Sequence, residues 1–459
     1  MVRRVADLGP ADLERQIAFI KGSLFSYLAR DTAGASAGRD RGGIVDLSGP
    51  ADLAAVGLVS SADLEAQAEE LARELCRRAI RAGDTATWIA PTYLMEAQRY
   101  QYLPVGSNLY DGAPGIALFL AALHRASGDP VYRATALAAV RPFCDALAAA
   151  DEWRFEQLDL GAAVGLGSLT YALVRIGGLL DEPALLEAAA HASARITAER
   201  IDTDAKLDVN LGVAGAILGL LSLHEATKEP LALQRAICCG ERLLAARRRG
   251  HAGPRAWPTV GGRLLTGFSH GAAGIVYALT RLYSATLDPR FLVAAQEGIA
   301  YEASVFVQGA GNWPDLQADD QPAFRWSWCH GAPGIALARL GGLPVLDGAE
   351  VHHDIAAGVA ATEATPLEDV DYLCCGNLGR VEVLWYAGRE LGRRDLAESA
   401  LRRASWILER VRSKGYLLLH PSLPREVYNP GFFQGAAGIG YQLLRLAQPD
   451  RLPSVLLWK

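Results

Sequence analysis

The chain repeats one pattern of small and hydrophobic residues seven times. In each copy a Gly-x-x-Gly pair, once Gly-x-x-Ser, opens a segment that is almost wholly apolar. The copies read GAPGIALFLAAL, GLGSLTYALV, GVAGAILGLLSL, GAAGIVYALTRL, GAPGIALARL, GNLGRVEVLWYA and GAAGIGYQLLRL, and begin at Gly112, Gly165, Gly212, Gly271, Gly331, Gly376 and Gly435. A segment that is apolar on all faces predicts a helix that is buried on all sides.

Amphipathic segments lie between these copies, for example DEPALLEAAAHASARITAER and DPRFLVAAQEGIAYEASVF. They predict outer helices that cover the buried ones. Seven inner and outer pairs favour an all-α fold, a closed α/α toroid over residues 96–459. A linear solenoid is the alternative, because its helix pairs have a similar period.

Residues 1–95 precede the first copy, and we expect them to form a helical extension that packs on the toroid. Within it, residues 32–43 (TAGASAGRDRGG) are small and polar, which predicts a mobile loop. The short stretch GGIVDL predicts a minor hairpin.

Composition removes several classes of function. The net charge of −6 gives no reason to expect a nucleic-acid partner. No apolar run approaches the roughly 20 residues that a transmembrane helix needs, and the N-terminal MVRRVADLGPADLERQ does not resemble a secretory signal. We therefore expect a cytoplasmic protein, in which the seven cysteines do not form a disulfide framework.

Reactive residue types gather just before the glycines, and equivalent positions of a toroid should meet at one rim. Asp111, His270, His330, Cys375 and Gln434 stand one position before a first glycine, and Cys329 and Cys374 stand two before. Asp208 lies four positions before Gly212. This pattern predicts a functional site at the rim where the inner helices begin.

Cys329, Cys374 and Cys375 come from consecutive copies and predict a site for one zinc ion. Zinc accepts thiolate ligands readily, and three protein ligands with an open fourth position are typical of catalytic zinc. A pair of buried structural cysteines is the alternative, and His330 is a rival ligand. Cys238 and Cys239 also precede a glycine, but they lie in an outer-helix pattern, so we interpret them as structural.

His270, in GFSHGAAG, is the candidate proton donor or acceptor, because histidine exchanges protons near neutral pH. A structural role is the alternative. Arg325, four residues before Cys329, is a candidate for stabilising a developing oxyanion, with a surface or capping role as the alternative.

The motifs SHGAAG, WCHGAPG, CCGNLG and FFQGAAGIGYQLLRL together resemble the lanthionine synthetase C-like family over about residues 95–450. DLERQIAFIKGSL and LPVGSNLYDGAPGIALFLAAL are more particularly similar to the cyclase half of class II lanthipeptide synthetases. Those synthetases carry a large dehydratase domain, for which this chain has no room, so we expect an excised cyclase domain or a free-standing relative.

The resemblance implies an α/α toroid with one catalytic zinc at its mouth. Cys329 and Cys374 match two ligands of the family, and Cys375 stands where many members have histidine, as in a three-cysteine subgroup. His270 and Asp208 match the family's acid–base pair, and Arg325 matches an active-site arginine.

The implied reaction joins cysteine thiols of a ribosomally made peptide to dehydroalanine or dehydrobutyrine, forming lanthionine or methyllanthionine thioether rings. The partners are then a dehydrated precursor peptide and a dehydratase domain or a separate dehydratase. Alternatives are glutathione addition to dehydroamino acids and a zinc-containing scaffold that binds peptides without catalysis. A glycosidase needs a pair of carboxylates at the mouth, for which the pattern offers Asp111 and Asp208.

Overall fold

The computed structural model describes residues 9–36, 53, 56–94, 99–149, 153–250, 253–317, 323–343, 345–368, 370–418 and 427–459. Its helices are α1 (Pro10–Ser36), α2 (Ser61–Arg78), α3 (Ala113–Ser127), α4 (Pro130–Ala148), α5 (Trp153–Glu156), α6 (Leu166–Leu180), α7 (Pro183–Ala194), α8 (Ala198–Thr203), α9 (Val213–Thr227), α10 (Pro230–Ala246), α11 (Ala272–Thr286), α12 (Pro289–Val305), α13 (Ala332–Gly342), α14 (Ala349–Ala364), α15 (Asn377–Glu390), α16 (Arg394–Lys414) and α17 (Ala436–Ala447).

Four antiparallel hairpins and three short 3₁₀ helices (Val260–Gly262, Gln308–Ala310 and Val455–Leu457) accompany the α-helices in the described residues. The strands of the hairpins are β1 (Ile80–Ala82) with β2 (Thr85–Thr87), β3 (Ile89–Leu94) with β4 (Arg99–Pro104), β5 (Arg248–Arg249) with β6 (Arg255–Ala256), and β7 (Pro314–Asp315) with β8 (Ala323–Phe324). The strands are short and pair only within their own hairpin, so the helices determine the fold class.

Seven inner helices, α3, α6, α9, α11, α13, α15 and α17, each begin directly after the first glycine of one repeat. The first six each pack against the outer helix that follows in the chain, namely α4, α7, α10, α12, α14 and α16. The seventh inner helix, α17, packs instead against α2. Part of the extension 1–95 therefore fills the seventh outer position, although it precedes the first repeat in sequence.

The inner helices form a closed ring, because each packs against the next and α17 packs against α3. A cycle of backbone hydrogen bonds joins the seven turns that precede them. In every turn the donor is the amide two positions before the first glycine, and the acceptor is the carbonyl of the equivalent residue in the next turn. The N···O distances are 3.0 Å (Tyr110 to Ala163), 3.3 Å (Ala163 to Asn210), 3.1 Å (Asn210 to Ser269), 3.2 Å (Ser269 to Cys329), 3.4 Å (Cys329 to Cys374), 2.9 Å (Cys374 to Phe433) and 2.8 Å (Phe433 to Tyr110). The closed cycle confirms the toroid and excludes the linear solenoid.

The second glycine of the motif makes room for the backbone of its own turn. In six repeats a Cβ at this glycine would lie 1.6–2.3 Å from the carbonyl oxygen three positions before the first glycine. Real Cβ atoms do not approach an oxygen that closely, so only glycine fits without moving the turn. In the remaining repeat Ser168 takes this place, and its hydroxyl donates to the Gly165 carbonyl over 2.6 Å.

Residues 453–459 enter the ring of inner helices and pack along its axis. The Trp458 indole contacts the rings of Phe268, Trp328 and Phe433, with centroid distances of 6.1, 5.9 and 6.0 Å, and its N–H donates to the Ala162 carbonyl over 2.9 Å. Hydroxyls of three inner-helix tyrosines donate to carbonyls of the same segment, and these are Tyr171, Tyr277 and Tyr441. This segment therefore forms the floor beneath the rim where the seven turns meet.

The N-terminal region differs in part from the sequence-based prediction. Residues 32–36 of the predicted loop 32–43 belong to α1, so the loop prediction is wrong there. The reason is that alanine favours helix strongly enough for α1 to continue past the single Gly34. Residues 37–43 and the predicted hairpin GGIVDL lie outside the described residues. Within the described part of the chain, no helix is both long enough and apolar enough to span a membrane.

Candidate metal and acid–base site

Three cysteine sulfurs meet at the rim, in the turns before α13 and α15. The Sγ atoms of Cys329, Cys374 and Cys375 all lie within 4.8 Å of one another. Cys329 Sγ is 3.2 Å from Cys375 Sγ, and Cys375 Sγ is 3.5 Å from Cys374 Sγ. Cys329 and Cys374 are buried and Cys375 is half-buried, and none of them forms a disulfide. The predicted three-thiol cluster is therefore present.

The turn geometry explains how two consecutive cysteines face one point. Side chains that are adjacent in a helix diverge by about 100°, but Cys374 and Cys375 lie in the turn before α15, which begins at Asn377. The neighbouring turn is held in register because the Cys329 amide donates to the Cys374 carbonyl over 3.4 Å. The backbone cycle thus brings thiols from two neighbouring repeats close together.

The three thiols shift one another's pKa through their mutual contacts. Hydrogen bonds from Cys374 and Cys375 lower the pKa of Cys329 well below that of an ordinary thiol. The same contacts with Cys329, together with burial, raise the pKa of Cys374 well above its usual value. Contact with Cys329 likewise raises the pKa of Cys375. One thiolate forms readily, and a divalent cation would offset the repulsion that opposes the other two.

The donor set fits zinc, which prefers sulfur and nitrogen ligands in tetrahedral sites. Among the described residues, the three sulfurs lie within 4.8 Å of one another, and His330 does not belong to this group. His330 instead lies beside His270, with ring centroids 6.0 Å apart, and both of its ring nitrogens are 3.4 Å from Gln317 Nε2. Three sulfurs would leave a fourth position for another ligand.

His270 and Asp208 form a direct pair across two turns. His270 Nδ1 lies 2.8 Å from Asp208 Oδ2, while Asp208 Oδ1 accepts the Leu211 amide over 2.7 Å. Burial lowers the pKa of His270, but the hydrogen bond and charge of Asp208 and the charge of Cys329 outweigh burial and raise it overall. Because Asp208 occupies Nδ1, the second ring nitrogen is the one left to exchange a proton with a substrate.

Arg325 lies in the segment before Cys329, and its Nε donates to Asp315 Oδ2 over 2.6 Å. The Arg325 side chain is 54% exposed, whereas the Asp315 side chain is only 8% exposed. The positive charge of Arg325 acts to lower the pKa of Cys375, although contact with Cys329 and burial keep that pKa raised. Arg325 therefore adds positive charge beside the cluster while Asp315 fixes its orientation.

The other candidates lie outside the sulfur cluster. Burial raises the pKa of the Asp111 carboxyl, and the backbone amide of Asp111 donates to Asn108 Oδ1 over 3.0 Å. Cys238 and Cys239 lie within the outer helix α10, where Cys239 is buried in the core. Their position agrees with the structural role that the sequence suggested.

Two residues beside the sulfur cluster were not predicted from the sequence. Tyr110 stands two positions before its glycine and contacts Cys374, while its ring stacks on Phe433 at 5.0 Å. The Ser327 hydroxyl lies 3.3 Å from Cys329 Sγ. Position within the repeat would have found Tyr110, but the tyrosine side chain is equally suited to core packing.

The model of the family described as lanthionine synthetase C-like protein matches residues 104–457, which is more than half of the chain. The chain belongs to this family. Among solved structures, nisin cyclase is similar at 18% identity over 87% of this chain and 96% of its own, with a TM-score of 0.53. A sugar epimerase from a ruminal bacterium matches at 10% identity over 85% of this chain and 98% of its own, with a TM-score of 0.45. At these identities the likeness to nisin cyclase shows a shared fold, in agreement with the toroid of this lanthionine synthetase C-like protein.

Proposed function

We propose that this protein is a zinc-dependent lanthionine cyclase. It would add cysteine thiols of a dehydrated peptide to dehydroalanine or dehydrobutyrine and so form thioether rings. One observation carries the proposal: three clustered thiols and a histidine–aspartate pair occupy adjacent turns of one rim, joined by the hydrogen bond from the Ser269 amide to the Cys329 carbonyl. This combination supplies a metal site for a sulfur nucleophile and a proton donor beside it.

The reaction needs a thiolate, and a free cysteine with a pKa near 8.5 is mostly protonated at neutral pH. Cys329, Cys374 and Cys375 would hold a zinc ion, whose positive charge would favour the thiolate form of a substrate thiol bound at the position that the three sulfurs leave open, with the proton released to solvent. Three protein thiolates place more negative charge around that position than neutral ligands would, which favours an electron-rich substrate sulfur.

Proton delivery is the task of His270. When the substrate sulfur bonds to the β-carbon, the electrons of the carbon–carbon double bond move onto the neighbouring carbonyl as an enolate. The imidazolium of His270 then gives its proton to the α-carbon. Asp208 stabilises that imidazolium and fixes the ring through Nδ1. Delivery from one side determines the configuration of the α-carbon.

Arg325 supports the same step through charge. Its guanidinium lies near the sulfur cluster and is oriented by Asp315. A positive group there stabilises the negative charge that develops on the enolate oxygen. The substrate must already contain dehydroamino acids, so a dehydratase, as a linked domain or a separate protein, has to act before this protein does.

Zinc content tests the metal site. We expect one zinc per chain by elemental analysis, and we expect Cys329→Ala, Cys374→Ala and Cys375→Ala each to lose or greatly weaken it, because each removes one of three sulfur ligands. Cys239→Ala is the matched control and should keep the metal, because this cysteine lies in α10 away from the cluster. Zinc-free, freshly reduced wild-type protein would refute the proposal. If Cys375→Ala kept its zinc while the other two cysteine variants lost it, His330 would be the third ligand in place of Cys375.

Ring formation tests the activity itself. A dehydrated peptide that contains cysteine should lose its free thiol without a change in mass, as measured by alkylation and mass spectrometry. The same incubation with glutathione separates the two nucleophiles, because a glutathione adduct without ring closure would identify intermolecular addition instead. Zinc-loaded protein that binds the peptide and forms neither product would indicate a scaffold.

A further inference from the structure

Glu302 lies on the outer helix α12, yet its carboxylate reaches the turn that carries His270. The side chain is fully buried, and Oε1 accepts the backbone amides of Gly267 and Ala273, each over 3.1 Å. These two amides stand three residues before and three residues after His270. One carboxylate oxygen therefore holds both ends of the His270 turn.

Two further buried groups hold Glu302 in place, one through its carboxylate and one through its backbone. Arg339 of the inner helix α13 donates through Nη2 to Glu302 Oε2 over 2.6 Å and through Nε to Asp354 Oδ2 over 3.0 Å. Arg339 and Glu302 are fully buried. The Trp313 indole N–H also donates to the Glu302 backbone carbonyl over 3.1 Å. Because charge-assisted hydrogen bonds are strong and directional, Glu302 has a single position.

The His270 turn also lies directly on the turn that carries Cys329. Gly267 has a φ of +93°, and a Cβ at this position would lie 3.1 Å from the Cys329 carbonyl oxygen. The Ser269 amide donates to the same oxygen over 3.2 Å. A displacement of the His270 turn would therefore change the separation between the proton donor and the sulfur cluster.

We propose that Glu302 is a positioning residue that sets where His270 stands relative to the cysteine cluster and so directs proton transfer to the α-carbon. This inference rests on the proposed function. In the described residues the hydrogen bonds of the Glu302 carboxylate go to Gly267, Ala273 and Arg339, so its effect on His270 passes through the backbone of the turn. Small errors in the placement of a reacting group lower rates strongly, by up to about 100-fold for roughly 1 Å.

The chain offers a matched control in Glu382 of the inner helix α15. It is also a buried glutamate paired with an arginine, since Arg445 Nε donates to its two oxygens over 3.0 and 3.1 Å. Gln442 Nε2 donates to it as well, over 2.7 Å. These partners are side chains rather than the amides of a rim turn. Each substitution removes one buried carboxylate, so both variants should be less stable than wild type. Only the substitution of Glu302 should also affect the site.

The test compares Glu302→Gln with Glu382→Gln on a dehydrated peptide with one cysteine and one dehydroalanine. For Glu302→Gln we expect one zinc per chain, an unchanged KM, and a kcat lower by roughly 10- to 100-fold. The product should contain an increased fraction of the wrong α-carbon configuration, measured by chiral analysis of the hydrolysed ring. Glu382→Gln should lower the melting temperature comparably and keep the wild-type kcat and configuration.

Two results would overturn the inference: wild-type kcat and configuration in Glu302→Gln, or an equal loss of kcat in Glu382→Gln. If Glu302→Gln does not fold, Glu302→Asp replaces it, since aspartate keeps the charge opposite Arg339 but is one methylene too short to reach both amides. The proposed function fails separately, because wild-type protein without zinc or without ring formation would refute it before either variant is compared.

Discussion

At the scale of single residues, His270 is the side chain to which the proposed mechanism assigns proton transfer. Its Nδ1 is committed to Asp208, and Asp208 is in turn held by the Leu211 amide, so the ring has a fixed orientation and one nitrogen available to a substrate. The net upward shift in its pKa favours the imidazolium, which is the form that donates a proton. An acid of this kind contributes to rate without contributing to metal binding.

Replacement of His270 by asparagine should therefore separate proton transfer from metal binding. We expect His270→Asn to keep one zinc per chain and to lower the cyclisation rate by about 10²–10⁴-fold, because general acid catalysis is lost. Ring configuration, measured by chiral analysis, should become mixed as solvent protonates the α-carbon from either side. His191→Asn, on the exposed face of α7, is the control and should behave as wild type. Undiminished, stereochemically pure ring formation in His270→Asn would remove His270 from the mechanism.

At the scale of elements, the turn before each inner helix is the unit that the sequence repeats. It combines a first glycine at the helix start, a second glycine against a carbonyl, and an amide in the rim cycle. Because the candidate site residues stand one or two positions before a first glycine, the sequence alone predicted that Cys329, Cys374, Cys375 and His270 lie at one rim. The same reasoning missed Glu302, since it reaches the rim from an outer helix and its position depends on long-range packing.

The second glycine of the His270 repeat, Gly274, leaves no room for a side chain. A Cβ on Gly274 would lie 2.0 Å from the Phe268 carbonyl oxygen and 2.8 Å from the Val209 side chain. We expect Gly274→Ala to lower the free energy of unfolding by about 1–3 kcal/mol and to reduce cyclisation, because the turn must shift.

The control for Gly274→Ala is Gly178→Ala, in the inner helix α6. A Cβ at Gly178 would meet nothing within 4 Å, so alanine there should stabilise the helix by roughly 0.5–1 kcal/mol. Melting temperatures and cyclisation rates, measured side by side, check both variants. Equal melting temperatures for the two variants would contradict the packing role that we assign to the second glycine.

At the scale of the whole molecule, ring closure depends on chain segments that are remote in sequence. The periodic pattern predicted seven inner helices and their amphipathic partners, but the described residues that follow α17 include no outer helix that packs on it. Its partner is α2, whose sequence looks like any amphipathic helix and carries no mark of the repeat. Residues 453–459 likewise follow the last repeat, and nothing in their order indicates that they fill the axis. The pairing of α2 with α17 and the position of residues 453–459 both depend on closure of the ring. A local sequence pattern does not predict such long-range contacts.

Trp458 links this closure to the site. Its indole packs on Phe268, Trp328 and Phe433, which precede or contact the turns of His270, Cys329 and Cys374. We expect Trp458→Ala to lower the free energy of unfolding by about 3–5 kcal/mol, because it empties a fully packed position on the axis. Zinc should also dissociate more readily in competition with a chelator, since Trp328 loses a packing partner beside Cys329.

Trp385 provides the comparison for this prediction, because it is a half-buried tryptophan of the inner helix α15 whose indole N–H has no hydrogen-bond partner among the described residues. Trp385→Ala should cost less stability than Trp458→Ala and leave zinc affinity unchanged. Thermal melts and zinc competition on both variants measure the difference. If Trp458→Ala melted at the wild-type temperature, or weakened zinc no more than Trp385→Ala does, residues 453–459 would be a passive filling of the axis. A larger loss of both melting temperature and zinc affinity in Trp458→Ala than in Trp385→Ala would indicate that the closed ring and the proposed metal site form one packed unit.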